Sequence, residues 1–142
     1  MNTVKQILDQ KGHSVFTIEP DASVYDAITM MAEKHVGALA VTEGDKLVGL
    51  FSERDYARKG FLQGRSAPNT KVREIMTDRV MVVPPGRTTE ECMALRTEKR
   101  FRHLPVVEDG DLVGMVSIGD MVKAIISEQR FTIEQLEHYI KS

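Results

Sequence analysis

Tryptophan is absent, and a single cysteine, Cys92, stands among 142 residues. One thiol cannot close an internal disulfide, which excludes a disulfide-stapled scaffold and fits a reducing compartment. Apolar runs are short. None approaches the ~18 residues of a bilayer span, so no membrane association is expected. The opening stretch, Met1 to Gln10, is polar with helical spacing rather than a secretory leader, and by exclusion a cytoplasmic location is expected. Neither sign of charge dominates: 19 Lys and Arg face 21 Asp and Glu, for a net charge of -2. Duplex nucleic acid, which calls for a basic surplus, is therefore a poor partner. The sequence has no Gly-x-x-x-x-Gly-Lys loop and no Gly-x-Ser-x-Gly elbow. His13, His35, His103 and His138 lack metal-ligand spacing, so no metal is expected. No nucleophile–base–orienter set stands out, and no catalytic residue is assigned.

What is present is a duplication. Shifting the chain by 65 residues aligns Val15–Asp55 with Val80–Asp120 without a gap, and twelve of the 41 positions are identical. Average composition gives roughly two or three by chance. An echo lies upstream at a shift of 68, where Val4-Lys5-Gln6-Ile7-Leu8 matches Val72-Arg73-Glu74-Ile75-Met76. The copies occupy residues 8–65 and 73–130, joined by the polar stretch Gln63–Asn69, with residues 131–142 left over.

Each copy reads β-α-β-β-α behind a short leading helix. A strand, Val15–Ile18 or Met81–Val83, stops near a proline that cannot extend a ladder. A helix follows, with Ser23 or Thr88 as N-cap. Two strands come next, Leu39–Thr42 with Leu47–Phe51, or Leu104–Glu108 with Leu112–Val116, each pair joined by a Gly-Asp or Asp-Gly turn. A last helix starts at Ser52 or Ser117. The fold class is α/β (α+β), with two such units sharing a core about a pseudo-twofold axis. Thr132-Ile133-Glu134-Gln135 has the pattern of a capping box opening a separate C-terminal helix through Lys141, with Ile133, Leu136 and Ile140 as its apolar stripe.

The strings Gly49-Leu50-Phe51-Ser52-Glu53-Arg54-Asp55 and Gly114-Met115-Val116-Ser117-Ile118-Gly119-Asp120 carry the family signal. They resemble the Gly-h-h-[Ser/Thr]-x-x-Asp signature of CBS domains, h being apolar, and Leu104-Pro105-Val106-Val107 resembles the family's Leu-Pro-Val-Val strand. The resemblance implies a tandem pair, or Bateman module: a non-catalytic sensor binding AMP first, or ATP, ADP or NAD, in the cleft between repeats. It also implies a homodimer and a regulated partner protein. On the family's pattern, Ser52, Arg54, Asp55 and Arg58 would meet phosphate and ribose, with Val80, Met81, Phe101, Arg102 and His103 from the other repeat. Ser117, Gly119 and Asp120 would do so with Ser14, Val15, Val36, Gly37 and Ala38.

The residues have a physical reading of their own. Gly49 and Gly114 lie inside strands, where a missing side chain marks a bulge or a close approach. A strand turning into a helix exposes amides that attract anions. An Asp one turn on can accept hydrogen bonds from a diol. Ser-x-x-Asp is also the pattern of a helix cap, and the two readings can coexist. Gly119 in place of Arg54, and Ala40 in place of Pro105, make the two sites unequal. The Asp55 site, with Arg54, Arg58 and Lys59, is expected to take the more anionic ligand. Two other functions remain open: a ligand-free interaction scaffold, and, less favoured, a binder of single-stranded nucleic acid. His103 is a candidate phosphate or base neighbour or a structural residue. Arg100 and Arg102 share a side if the chain there is extended. Glu90 and Glu91 read as first-turn helix charge, and Cys92 as a buried, inert thiol.

Overall fold

The computed structural model describes residues 2–141. α1 (Val4–Lys11) opens with a capping box: the Gln6 amide donates to Thr3 Oγ1 at 3.3 Å and the Thr3 amide donates to Gln6 Oε1 at 2.8 Å. Its buried residues, Val4, Ile7 and Leu8, fall on one face. β1 (Thr17–Ile18) runs parallel to β2 (Ala38–Glu43), which pairs antiparallel with β3 (Lys46–Ser52). Between β1 and β2 lies α2 (Val24–Lys34), capped by Ser23 Oγ accepting from the Asp26 amide at 3.0 Å. After β3 the chain makes one turn of α-helix, α3 (Glu53–Asp55). It widens into a π turn at Tyr56–Gly60 and tightens into a 3-10 turn at Phe61–Gln63. Gly60 permits the wide turn, since a Cβ there would lie 2.9 Å from the Tyr56 ring. The linker holds a further 3-10 turn, Ala67–Asn69, before α4 (Val72–Ile75).

The second copy follows the same plan. α5 (Thr89–Lys99) is capped by Thr88, and β4 (His103–Glu108) pairs with β5 (Asp111–Ser117). Asp109 and Gly110, both at positive φ, make the tight turn between them. His35 and Arg100, equivalent under the 65-residue shift, close α2 and α5 in the left-handed conformation. Arg100 is therefore not extended and shares no strand face with Arg102.

Three sequence expectations are corrected. The ladder of β1 covers only Thr17–Ile18, not Val15–Ile18. Met81–Val83 is not a strand: Val83 alone forms a parallel bridge to Val106. In the first copy the Ala40 amide donates to the Phe16 carbonyl at 3.2 Å, whereas Pro105, at the position equivalent to Ala40, has no N–H to give Met81. No helix starts at Thr132. α6 runs unbroken from Ile118 to Lys141, and Thr132 Oγ1 donates back to the Glu128 carbonyl at 3.1 Å. No Gly or Pro lies between Asp120 and Lys141, so nothing in the chain stops the helix.

The molecule comprises two compact units. One gathers the N-terminal residues through Ser14 with Val82–Glu108 and the chain from Val113 onward; the other is Val15–Met81 with Asp109–Leu112. The leading helix α1 thus belongs with the second copy, and α4 with the first. In the Val15–Met81 unit, Val24, Ala27 and Met31 of α2 pack with Leu39, Val41 and Phe51 of the sheet and with Val72 and Ile75 of α4. In the other, Val4, Leu8, Val83, Cys92, Leu104, Val106, Val116 and Met121 are all at most 1% exposed.

Candidate functional site: two serine–aspartate turns

Each turn is built where a strand hands over to a helix. At the end of β3, the Ser52 amide and hydroxyl both donate to Asp55 Oδ2 at 3.0 Å, and the Asp55 amide donates to Ser52 Oγ at 3.2 Å. Thr77 Oγ1 donates to the other carboxylate oxygen at 3.1 Å, and Lys59 Nζ lies 3.6 Å from it. The Asp55 side chain is 12% exposed. The Glu53 amide donates to the Gly37 carbonyl at 3.1 Å, tying this helix start to the approach to β2.

At the end of β5 the scheme recurs with different company. The Ser117 amide donates to Asp120 Oδ2 at 2.8 Å, and the Asp120 amide donates to Ser117 Oγ at 3.1 Å. Lys11, the last residue of α1, donates from Nζ to Asp120 Oδ2 at 2.7 Å and to the Met115 carbonyl at 2.9 Å. The Ile118 amide donates to the Arg102 carbonyl at 2.9 Å. Burial works against ionisation of Asp120. The Lys11 hydrogen bond, the Ser117 amide and the Lys11 charge outweigh it and hold the carboxyl below its ordinary range.

Both aspartates therefore serve as helix caps, and the duplicated glycines have a structural cause. A Cβ on Gly49 would fall 2.7 Å from Met76 Sδ and 3.0 Å from the Thr77 carbonyl oxygen. That carbonyl is fixed by two 2.8 Å bonds exchanged between Leu50 and Thr77. A Cβ on Gly114 would fall 2.6 Å from Leu8 Cδ1. Leu8 and Met76 are the final matched pair of the 68-residue echo, so each in-strand glycine admits the leading helix of its unit. Gly119 is different: a Cβ there meets Ser117 Oγ at an ordinary 3.6 Å, and nothing in the structure demands glycine.

The remaining sequence-assigned residues are spread over loops and strand starts. Arg54 and Arg58 are exposed on α3 and the π turn; Ser14 and Arg102 are exposed; Val15, Val36, Gly37, Val80, Met81, Phe101 and His103 are half-buried; Ala38 is buried in β2. Within one unit the structure brings Gly37 to the Ser52 turn, and within the other Arg102 to the Ser117 turn. Lys11 and Thr77 were missed from sequence. Their signal was faint: Thr77 directly follows the echoed Met76, and Lys11 lies one helical turn past the echoed Leu8.

Other candidates resolve locally. Glu91 accepts the Thr88 hydroxyl at 3.0 Å and Arg87 Nη1 at 3.2 Å, a helix-start arrangement. Cys92 is buried, and burial pushes its thiol pKa up. Among the described residues no group of three or more His, Cys, Asp or Glu could hold a metal ion, and no helix is long and apolar enough to cross a membrane.

Comparison with known families assigns both turns to one kind of domain: the CBS domain matches residues 4–60 and again 72–127. The chain belongs to the CBS domain family. Each CBS match begins at a leading helix, α1 or α4, and takes in one serine–aspartate turn. The mitochondrial CBS domain-containing protein CBSX3 of Arabidopsis thaliana is 40% identical, over 98% of this chain and 72% of its own. The CBS domain-containing protein YhcV of Bacillus subtilis is 31% identical, over 85% and 84%. Among solved structures, a CBS-domain protein of Burkholderia ambifaria ascribed to signal transduction is 52% identical, with a TM-score of 0.86, covering 90% of this chain and 96% of its own. The chain is a tandem CBS-domain protein of mixed α+β fold, a regulatory module of the signal-transduction type.

Proposed function

We propose that this CBS pair binds an adenosine-containing nucleotide, AMP foremost, with ATP, ADP or NAD able to satisfy the same contacts. Its occupancy would control a partner protein or the chain's own assembly as a homodimer, without catalysis. The supporting observation is the pair of matched turns, in which a largely buried carboxylate sits at a helix start beside a serine hydroxyl. A ribose diol can donate to such a carboxylate, and a phosphate is attracted by the helix start and nearby cations. The crosswise pocket, with Val80, Met81, Phe101, Arg102 and His103 serving Asp55, and Ser14, Val15, Val36, Gly37 and Ala38 serving Asp120, is part of this proposal. So is the inequality of the sites: Lys59 lies 3.6 Å from the Asp55 carboxylate, with Arg54 and Arg58 on the same successive turns, whereas Lys11 already holds Asp120.

A ligand-free scaffold is the second reading, favoured by the same hydrogen bonds, since both carboxylates are already engaged as caps. Calorimetry with AMP, ATP and NAD on the wild type and on Asp55→Asn and Asp120→Asn separates the two. A charge-assisted hydrogen bond is worth about 1.5–3 kcal/mol, so each substitution should weaken its own site about 10- to 100-fold. Asp55→Asn should reduce ATP binding more than AMP binding. No heat and no thermal stabilisation with any adenosine compound would leave the scaffold.

A further inference from the structure

α6 extends beyond the repeat it closes. The CBS match ends at residue 127, yet the helix continues to Lys141, and every residue from Gln129 to Lys141 is exposed. That segment makes roughly three and a half further turns at 3.6 residues per turn. In proteins most helical stability comes from packing of an apolar face, and the apolar residues of this extension stay exposed in its own chain.

The face is written along α6. Val122, Ile126, Gln129, Ile133, Leu136 and Ile140 recur at alternating steps of four and three, the spacing of a coiled-coil seam. The five apolar ones are 41%, 44%, 54%, 57% and 80% exposed in that order. The side of α6 turned inward, with Met121 buried and Ala124, Ile125 and Glu128 half-buried, lies about a quarter-turn round the helix from this stripe. The seam and the packing face are therefore separate.

We propose that this stripe is a self-association seam: α6 pairs antiparallel with α6 of a second copy of the chain. Run antiparallel, the stripe complements itself. Val122 meets the partner's Ile140, Ile126 meets the partner's Leu136, and Gln129 meets the partner's Ile133, each contact occurring twice about a two-fold axis. The flanking charges fit the same register, with Lys123 opposite the partner's Glu137 on both sides. A parallel pairing gives no such match, because the flanking partners of Arg130 and Glu137 would be Ile125 and Thr132. The one mismatch is at the axis, where Arg130 faces its own copy. The proposal does not depend on nucleotide binding.

Analytical ultracentrifugation of the full chain without nucleotide tests it. The wild type should sediment as a two-copy assembly or a multiple of one, and Leu136→Glu should halve that mass. The melting curve of Leu136→Glu, followed at a concentration where the wild type is dissociated, should overlay the wild type because residue 136 is exposed. Lys123→Glu and Glu137→Lys should each weaken association several-fold, the double exchange should restore it, and Arg130→Gln should tighten it. A monomeric wild type, or a mass unchanged by Leu136→Glu, overturns the seam and leaves the stripe to another protein or a lipid surface. Failure of the double exchange to restore association overturns the antiparallel register.

Discussion

At Gly114 a single hydrogen atom decides whether a helix can dock. Alanine there would put its Cβ 2.6–2.7 Å from both methyl carbons of Leu8, a side chain only 1% exposed and unable to swing away. Gly114→Ala should cost about 1–3 kcal/mol by overpacking. In chemical denaturation the loss should be much smaller when measured in a Leu8→Ala background; equal losses in both backgrounds would refute the contact. The carboxylate beneath the same helix gives a pH signature. Its folded pKa is lowered, so its contribution is present above the ordinary value of 3.8 and is lost as pH falls through the folded value. The stability gap between wild type and Asp120→Asn should therefore be full near neutrality and close below about pH 4. A gap that widened on acidification would contradict the Lys11–Asp120 pair. From sequence, these glycines announced that something comes close, and the aspartates announced a cap or a ligand. Neither could name Leu8, Met76, Lys11 or Thr77, because contacts between residues 22 to 109 positions apart leave no local pattern.

Elements whose signals are local were legible. Ser23 and Thr88 cap α2 and α5, and the Asp109-Gly110 turn joins β4 to β5, because a cap or tight turn is specified within four residues. Thr132 shows the limit of the same reasoning. Its Thr-x-x-Gln string satisfies a capping pattern, yet the preceding residues are helical and no breaker interrupts them, so the hydroxyl bonds backwards to Glu128 instead. Thr88→Ala should lower stability by about 1 kcal/mol, whereas Thr132→Ala should change it by less than about 0.5 kcal/mol. Thermal or urea melts of the two variants check this, and a larger loss at Thr132 would restore a helix break there. The first copy lacks an α6 counterpart because Gly60, Gly64 and Pro68 intervene, and its helix dissolves into π and 3-10 turns.

On the scale of the whole molecule, the leading helices do not stay with the sheets that follow them in sequence. α1 buries Val4, Ile7 and Leu8 in the unit that contains β4 and β5. At about 1.5–3 kcal/mol per buried aliphatic side chain, those three contribute about 5–9 kcal/mol, comparable to the net stability of a domain. Removing the residues through Ser14 should therefore abolish amide-exchange protection in β4, β5 and α5 while sparing β2 and β3. Equal loss in β2 and β3 would show that α1 is not specific to its unit.

Composition, the gapless duplication and the caps follow from the sequence by itself: two copies of one helix-and-hairpin unit, each with a serine–aspartate turn, in a chain with one thiol and no excess charge. Those features are periodic or local, and periodicity and short-range hydrogen bonding are readable without a fold. Tertiary structure alone decided which copy each leading helix joins, what fills the space over the in-strand glycines, and that Lys11 and Thr77 reach the two carboxylates. These outcomes depend on which surfaces exclude water together, a property of the folded chain that no segment carries alone.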